Sequence, residues 1–353
     1  MSKSTSRKSV IGLDIEPGYV TAAEVRLNDG ITVAHAATAS LHPGVVRDGE
    51  VMDAESLGET LKQLFREHKL DKRVRLGVAS PRIVVRTLDL PPLKDPKELA
   101  AAVRFKAPEQ VPMPLDQAVL DYQTLGEVET TEGLRTRVLV VAARRDMIDR
   151  LLAAVRRAGL RPLGIDLSAF AMIRALYDPS PEAGEGVVLY IAAGGLTNLA
   201  VADGSRCLFT RVASSGVESM VTQLAERREL TVDHARQWLA HVGLTTPLDE
   251  IDGDPQIVSE ARNVLGEGAR KIADDIRNSL EFYAAQGDGR PVERAVITGP
   301  GASLNGFVDE LSRLLGLPVD ARGVGEARPG ALGSLDGARL SVAAGLAVTE
   351  ASA

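Results

Sequence analysis

Two stretches of the chain, about half its length apart, share one pattern of apolar and polar positions. In the first, an apolar run over residues 10–16 is followed by a loop over residues 17–21 and an alternating run over residues 22–27. The turn Asn28-Asp29-Gly30 then leads into a further run. Alternation is typical of strands with one buried face, and these turn residues tolerate the positive φ of a tight hairpin. The pattern predicts strand, loop, strand, turn, strand.

The second stretch repeats this order in the other half of the chain. An apolar run over residues 187–192 precedes a loop over residues 193–196 and an alternating run over residues 197–202. Asp203-Gly204 is again a hairpin turn, and residues 206–212 read as the third strand. Repeats of this kind indicate a duplicated architecture.

The two copies align with a shift of 176 residues, which pairs Asp14 with Tyr190, Glu16 with Ala192 and Thr21 with Thr197. We therefore predict two homologous halves, residues 10–178 and residues 179–353. We expect residues 1–9, a basic polar segment, to form a disordered tail.

A separate pattern interrupts the first half between about residues 76 and 143. Extended runs end at Pro91-Pro92, and Asp95-Pro96 then begins an amphipathic helix that stops at Pro108. Residues 119–125 and 137–143 read as two further strands. The order strand, helix, strand, strand predicts an inserted subdomain.

The remaining periodic segments are helical, with one exception near the end. Helical spacing occurs over residues 146–158, 216–229, 232–242 and 254–286, whereas residues 294–298 read as a strand closed by the turn Gly299-Pro300-Gly301. The predicted fold class is α/β.

Composition narrows the classes of partner. At 353 residues the chain exceeds what one core usually supports, which agrees with two halves. The net charge is −7, which is unfavourable for contacts with a phosphate backbone. With 6 Phe, 5 Tyr and 1 Trp, the chain also has few aromatic side chains for base stacking. We predict no nucleic acid partner.

Cysteine usage and hydropathy indicate the compartment. The single cysteine, Cys207, fits a reducing environment, and we expect it to be a buried apolar side chain. No apolar run approaches the roughly 20 residues that a membrane helix needs, and no signal peptide is evident. These features predict a cytoplasmic protein.

Motifs spread over the whole chain carry a family resemblance. They are Ile11-Gly12-Leu13-Asp14-Ile15, Leu88-Asp89-Leu90-Pro91, Glu109-Gln110-Val111-Pro112, Phe209-Thr210-Arg211, the segment from Ile276 to Tyr283, and Thr298-Gly299-Pro300-Gly301-Ala302. With them the chain resembles the PilM family of type IV pilus assembly proteins. The resemblance implies a duplicated actin-like (ribonuclease H-like) ATPase fold with an inserted strand-helix-strand-strand (SHS2) subdomain, which the division protein FtsA shares.

The resemblance also implies a site for ATP and Mg²⁺ between the two hairpin loops. Asp14 would hold the metal ion, although a solvated or capping carboxylate is the alternative interpretation. The residues that would bind the cofactor are Asp14, Thr21, Gly194, Gly195, Thr197, Gly299 and Gly301.

Several positions depart from what such a site needs. Glu16 stands where the first loop requires a glycine, and a carboxylate in a phosphate cradle repels the ligand. Tyr190 stands where a second metal-binding aspartate is expected, and Pro300 removes a backbone donor from the adenosine turn. We therefore predict weak nucleotide binding, no catalytic residues and no ATP hydrolysis.

A peptide partner is the second implication of the resemblance. PilM-like proteins bind the N-terminal peptide of PilN, an inner-membrane protein, in a groove between the first subdomain and the insert, and they connect it to the pilus motor ATPases. Candidate groove residues are Val84, Val85, Leu88 and Leu90, for which core packing is the alternative. On this interpretation the chain reaches the membrane only through its partner, and self-assembly stays open.

Two other functions from the same superfold compete with this one. An active ATPase or small-molecule kinase would need intact phosphate loops, against which Glu16 and Tyr190 argue. An FtsA-like filament-forming division protein would need a C-terminal amphipathic helix, but residues 337–353 lack the basic and bulky side chains of a membrane-binding helix.

Overall fold

The computed structural model describes residues 10–27, 30–131, 133–180, 186–286, 289–333 and 335–348. The predicted tail over residues 1–9 and the turn residues Asn28 and Asp29 lie outside this part of the chain. The structure therefore leaves both of those predictions untested.

The strands and helices that the sequence pattern predicts occur in their predicted order, among others that it does not predict. The strands are β1 (Ile11–Glu16), β2 (Tyr19–Leu27), β3 (Ile31–Ser40), β4 (Val46–Arg47), β5 (Glu50–Val51), β6 (Arg73–Val78), β7 (Val84–Leu90), β8 (Ala118–Thr130), β9 (Gly133–Arg144), β10 (Arg161–Leu167), β11 (Val187–Ala193), β12 (Thr197–Asp203), β13 (Arg206–Ala213), β14 (Val292–Thr298), β15 (Val319–Ala321) and β16 (Gly325–Glu326). The α-helices are α1 (Ala54–Glu67), α2 (Pro96–Lys106), α3 (Arg145–Arg157), α4 (Ser168–Leu176), α5 (Val217–Arg228), α6 (Val232–Val242), α7 (Pro255–Ala284), α8 (Phe307–Leu315) and α9 (Gly337–Ala347).

The first half is built on a six-stranded sheet in the order β10-β6-β1-β2-β3-β16. Strands β1, β2 and β3 form the predicted antiparallel hairpins, and β6 and β10 pair in parallel beside β1. Alternation along β1 decides what each face packs against. Ile11 and Leu13 join a core with α1 and α3, whereas Gly12 faces α9 on the opposite side.

The second half repeats this plan in a five-stranded sheet ordered β13-β12-β11-β14-β15. Helices α5 to α8 cover one face, and α4 and α9 pack against the other. Because β11 is buried on both faces, its apolar residues run without alternation. The two copies of the hairpin pattern thus occupy equivalent places, which confirms the predicted duplicated fold.

The insert is a strand-helix-strand-strand unit with its own sheet, ordered β7-β9-β8, and with α2 packed on one face. This sheet begins at Val84, so the predicted lower bound of residue 76 falls inside β6, which belongs to the first sheet. Buried Glu50 pairs with Arg82, in the connection from β6 to β7, and with Arg150 of α3, the helix that follows the insert.

The C-terminal segment returns to the first half, although the predicted range of residues 179–353 assigns all of it to the second half. β16 pairs with β3, and α9 lies against β1, β2 and α4. A buried α9 also lacks the exposed apolar face of a membrane-binding helix. Across the described residues, no helix combines the length and the apolarity needed to cross a membrane.

Candidate functional site

The turns of the two duplicated hairpins lie directly against each other. A Cβ atom added to Gly195 of the second turn would lie 2.4 Å from the Pro17 carbonyl oxygen of the first turn. One added to Gly194 would lie 2.3 Å from the Tyr19 hydroxyl oxygen. Only glycine allows backbones to approach this closely, so packing between the turns accounts for both predicted phosphate-loop glycines.

The Glu16 carboxylate lies at the centre of this contact and is 4% exposed. Its Oε2 atom accepts hydrogen bonds from the backbone N–H groups of Gly195, at 2.5 Å, and Leu196, at 3.1 Å. The Tyr19 hydroxyl donates to the same oxygen at 3.5 Å. Burial raises the pKa of Glu16 to about 7, although the two backbone hydrogen bonds lower it. A carboxylate from the first half therefore accepts hydrogen bonds from the backbone amide groups of the second half.

Asp14 lies two residues before Glu16, on the same face of β1. The Ser168 hydroxyl at the start of α4 donates to its Oδ1 atom at 3.5 Å. Burial, followed by the charge of Glu16, raises the pKa of Asp14 well above its usual range. Two buried carboxyl groups thus share one side of the contact between the halves.

Two further side chains enclose this site. The Arg339 guanidinium group of α9 stacks over the Tyr19 ring at 4.5 Å. Glu218 of α5 lies so close to the first turn that a Cβ atom added to Gly18 would be 2.4 Å from its Oε2 atom. Pro17-Gly18 in the sequence signals the turn, but no local pattern identifies Glu218 or Arg339 as its neighbours.

The predicted loop over residues 17–21 is shorter in the structure. Glu16 pairs with Tyr19 across a two-residue turn, and Gly18 supplies the positive φ of 87° that the turn needs. Thr21 consequently lies inside β2, opposite Asp14, rather than in a loop. Thr197 begins β12, and both threonine hydroxyl groups are buried without a hydrogen-bond partner.

Gly299 and Gly301 lie beside the end of β11, where close packing again calls for glycine. A Cβ atom on Gly299 would lie 3.0 Å from the Ala193 carbonyl oxygen, and one on Gly301 would lie 2.7 Å from the Ala193 side chain. The Gly299 N–H group donates to the Ala338 carbonyl oxygen at 3.1 Å. This turn packs against both β11 and α9.

The backbone amide groups that the resemblance assigns to a phosphate are engaged by a side chain of the protein itself. The amide groups that would receive a phosphate already bind Glu16, and the two turns that would flank it are in contact. Within the described ranges, no three acidic, histidine or cysteine side chains are grouped to hold a metal ion. A metal-binding role for Asp14 stays a prediction from the resemblance alone.

The raised pKa of Glu16 predicts how stability varies with pH. The folded state holds this proton more tightly than the unfolded state, in which the pKa is near 4.5. Stability from protonation is therefore complete below pH 4.5 and is lost as the pH rises through 7. We expect the free energy of unfolding, measured with urea, to fall by about 2.5 kcal/mol between pH 5 and pH 8.

The Glu16→Gln variant is the control for this effect, because it keeps the shape and removes the titration. Its stability should vary less over the same pH range, and the residual change should fall further when Asp14→Asn is added. An equally steep pH dependence in the Glu16→Gln variant would contradict the assignment to this carboxyl group.

A second candidate site lies where the first half, the insert and the second half meet. Two adjoining cavities of about 550 and 440 Å³ form one groove, which we call the junction groove. Both cavities are lined by Val85, Arg86, Phe209, Thr210 and Phe282. Phe282 of α7 is 47% exposed, and its ring lies 6.0 Å from that of Phe209. Sequence analysis did not assign these aromatic residues to a groove.

The predicted peptide-binding residues divide between this groove and the core of the insert. Val84 and Val85 line the smaller cavity. Leu88 and Leu90 are buried in the core of the insert, so the core-packing alternative describes them. The groove runs past β7 and β13, each an edge strand of its sheet.

Comparison with known proteins decides the family. The model of the family described as type IV pilus assembly protein PilM matches residues 12–323. The chain belongs to the PilM family. A solved structure titled PilM-PilN type IV pilus biogenesis complex covers 97% of this chain and 98% of its own, with 27% identity and a TM-score of 0.79.

More distant solved structures share the fold of this PilM family member. The ethanolamine utilization protein EutJ from Carboxydothermus hydrogenoformans is 17% identical, covers 96% of this chain and 88% of its own, and has a TM-score of 0.53. MreB5 of Spiroplasma citri bound to ADP is 14% identical, covers 96% and 95%, and has a TM-score of 0.54. These matches agree with the actin-like fold predicted from the duplicated hairpins.

Proposed function

We propose that this chain is a scaffold of type IV pilus assembly that binds the N-terminal peptide of a PilN-like inner-membrane protein. The observation that carries the proposal is its end-to-end similarity to the PilM-PilN complex structure. In this role it lies at the inner membrane through that partner and connects it to the pilus motor ATPases. The scaffold holds its partners by surface contacts and needs no catalytic group.

The junction groove is the proposed docking site for the peptide. Edge strands β7 and β13 carry backbone N–H and C=O groups that can pair with an extended peptide, as in strand addition. Val85, Phe209 and Phe282 supply apolar contacts for alternate side chains of such a peptide. The groove extends the predicted interface, since the second half forms one of its walls.

We also propose that the nucleotide site is degenerate. This part of the proposal is supported by Glu16, which binds the second-turn amide groups, and by Tyr190, which is packed in an apolar cluster with α4. An active ATPase or kinase is disfavoured for the same reasons. The burial of α9 disfavours an FtsA-like role.

Replacing Phe282 by serine tests the docking site. A synthetic peptide of the first residues of the PilN-like partner should bind the wild-type protein, and Phe282→Ser should raise its Kd by at least about 10-fold. The reason is that truncating an aromatic residue central to an interface commonly costs 2 kcal/mol or more. Fluorescence anisotropy of a labelled peptide measures both values.

Phe105→Ser is the matched control, because Phe105 of α2 is 78% exposed and lies outside the junction groove. Its Kd should stay within about twofold of the wild-type value. Equal Kd values for the wild type and the Phe282→Ser variant would place the peptide elsewhere.

A further inference from the structure

The amide groups of the second turn form an anion-binding arrangement whose ligand belongs to the protein. The N–H groups of Gly195 and Leu196 converge on one oxygen atom, as successive backbone amides do around bound anions. That oxygen is Oε2 of Glu16, at the end of β1 in the other half. The turn itself is held by a hydrogen bond from the Gly194 N–H group to the Leu196 carbonyl oxygen at 2.9 Å.

The start of α5 fixes these amide groups from behind. The Val217 N–H group donates to the Gly194 carbonyl oxygen at 2.7 Å, and a Cβ atom on Gly216 would lie 2.6 Å from the same oxygen. The second turn is therefore held in this conformation by contacts that do not involve Glu16.

We propose that the Glu16 carboxylate is a built-in substitute for a phosphate group, and that it holds the two halves together without a nucleotide. Glu16 accepts both hydrogen bonds in either protonation state. Above pH 7, where it is ionised, each bond is roughly twice as strong as one between neutral groups, which offsets part of the cost of burying the charge. The contact joins residues 179 and 180 positions apart, so its energy acts directly between the halves. This inference shares the proposed loss of nucleotide binding but does not depend on the peptide partner.

Among the described groups around Glu16, only the amide groups and the Tyr19 hydroxyl donate hydrogen bonds to it. Asp14 and Tyr19 face it from β1 and β2, and Glu218 faces it from α5. Arg236 of α6 is paired with Glu218, and Arg339 of α9 stacks on Tyr19. Neither cation has a hydrogen bond or ion pair to Glu16 in the described structure.

The Glu16→Ala variant should free the amide groups and loosen the contact between the halves. Inorganic pyrophosphate without Mg²⁺ is the probe, followed by titration calorimetry. We expect it to bind Glu16→Ala at least about 10-fold more tightly than the wild type, in which the carboxylate excludes it.

A distance measurement tests closure independently of affinity. Spin labels at Lys62→Cys on α1 and Asn263→Cys on α7, in a Cys207→Ser background, report the separation of the halves by pulsed electron resonance. The wild type should give a narrow distribution that pyrophosphate does not change. Glu16→Ala should give a broader or longer one, which pyrophosphate narrows.

Glu50→Ala is the matched control, because Glu50 is also 4% exposed but pairs with two arginine residues within the first half and its insert. It should keep the wild-type distance distribution. If Glu16→Ala does not fold, as judged by circular dichroism, Glu16→Gln receives the same measurements, with weaker but same-direction changes expected.

Two results would overturn the inference. One is a Glu16 variant with the wild-type distance distribution and no gain in pyrophosphate affinity. The other is wild-type protein that binds pyrophosphate as tightly as the variant does. Both measurements omit peptide and ATP, so their failure is distinguishable from failure of the proposed scaffold function.

Discussion

Mg·ATP is expected to bind the wild-type chain about 10³-fold more weakly than it binds the Glu16→Gly variant. The Glu16 carboxylate bonds to the N–H groups of Gly195 and Leu196, which a phosphate group would have to use. Two negative charges about 4 Å apart repel by about 4 kcal/mol at an effective dielectric constant of 20, which corresponds to that ratio. Titration calorimetry measures both affinities, and ATP turnover by the wild type should equal background.

The Tyr190→Asp single variant is the control, because it keeps Glu16 and should still bind weakly. We also expect this variant to have a lower free energy of unfolding, because Tyr190 is 3% exposed within an apolar cluster and a carboxylate would be buried there. Tight, Mg²⁺-dependent binding by the wild type would contradict a degenerate site.

Replacing Gly12 by alanine is expected to lower the free energy of unfolding by about 4 kcal/mol or more, beyond the 1–3 kcal/mol typical of overpacking. A Cβ atom on Gly12 would lie 1.8 Å from the Ala343 carbonyl oxygen and 2.6 Å from the Ala347 nitrogen of α9. Both are backbone atoms, so relief requires moving the helix away from the sheet. Urea unfolding at constant pH measures the change.

Gly266→Ala is the matched substitution in the other half. Gly266 lies inside α7, and its added Cβ atom would meet only the Arg270 side chain, at 3.7 Å. Alanine should therefore raise stability by about 0.5–1 kcal/mol through helix propensity. Similar effects of the two substitutions would mean that α9 does not pack on β1 as described.

Local patterns along the chain were sufficient for the duplicated hairpins, the insert and most helices. Alternation, turn residues such as Asp203-Gly204 and caps such as Asp95-Pro96 act over a few residues, so each can be read without knowing its neighbours in space. That Glu16 stands where the first turn needs a glycine follows from the resemblance to the PilM family and not from a local pattern. From it we predicted impaired phosphate binding.

What the Glu16 side chain contacts was decided only by the tertiary structure. Its partners Gly195 and Leu196 lie in the other half of the chain, and the return of α9 and β16 to the first half likewise gives no local signal. The same holds for Leu88, which the groove prediction treated as exposed and the core of the insert buries. Hydrophobic and turn patterns determine which elements form, whereas contacts between distant elements depend on how their faces pack. No single segment of the sequence encodes that packing.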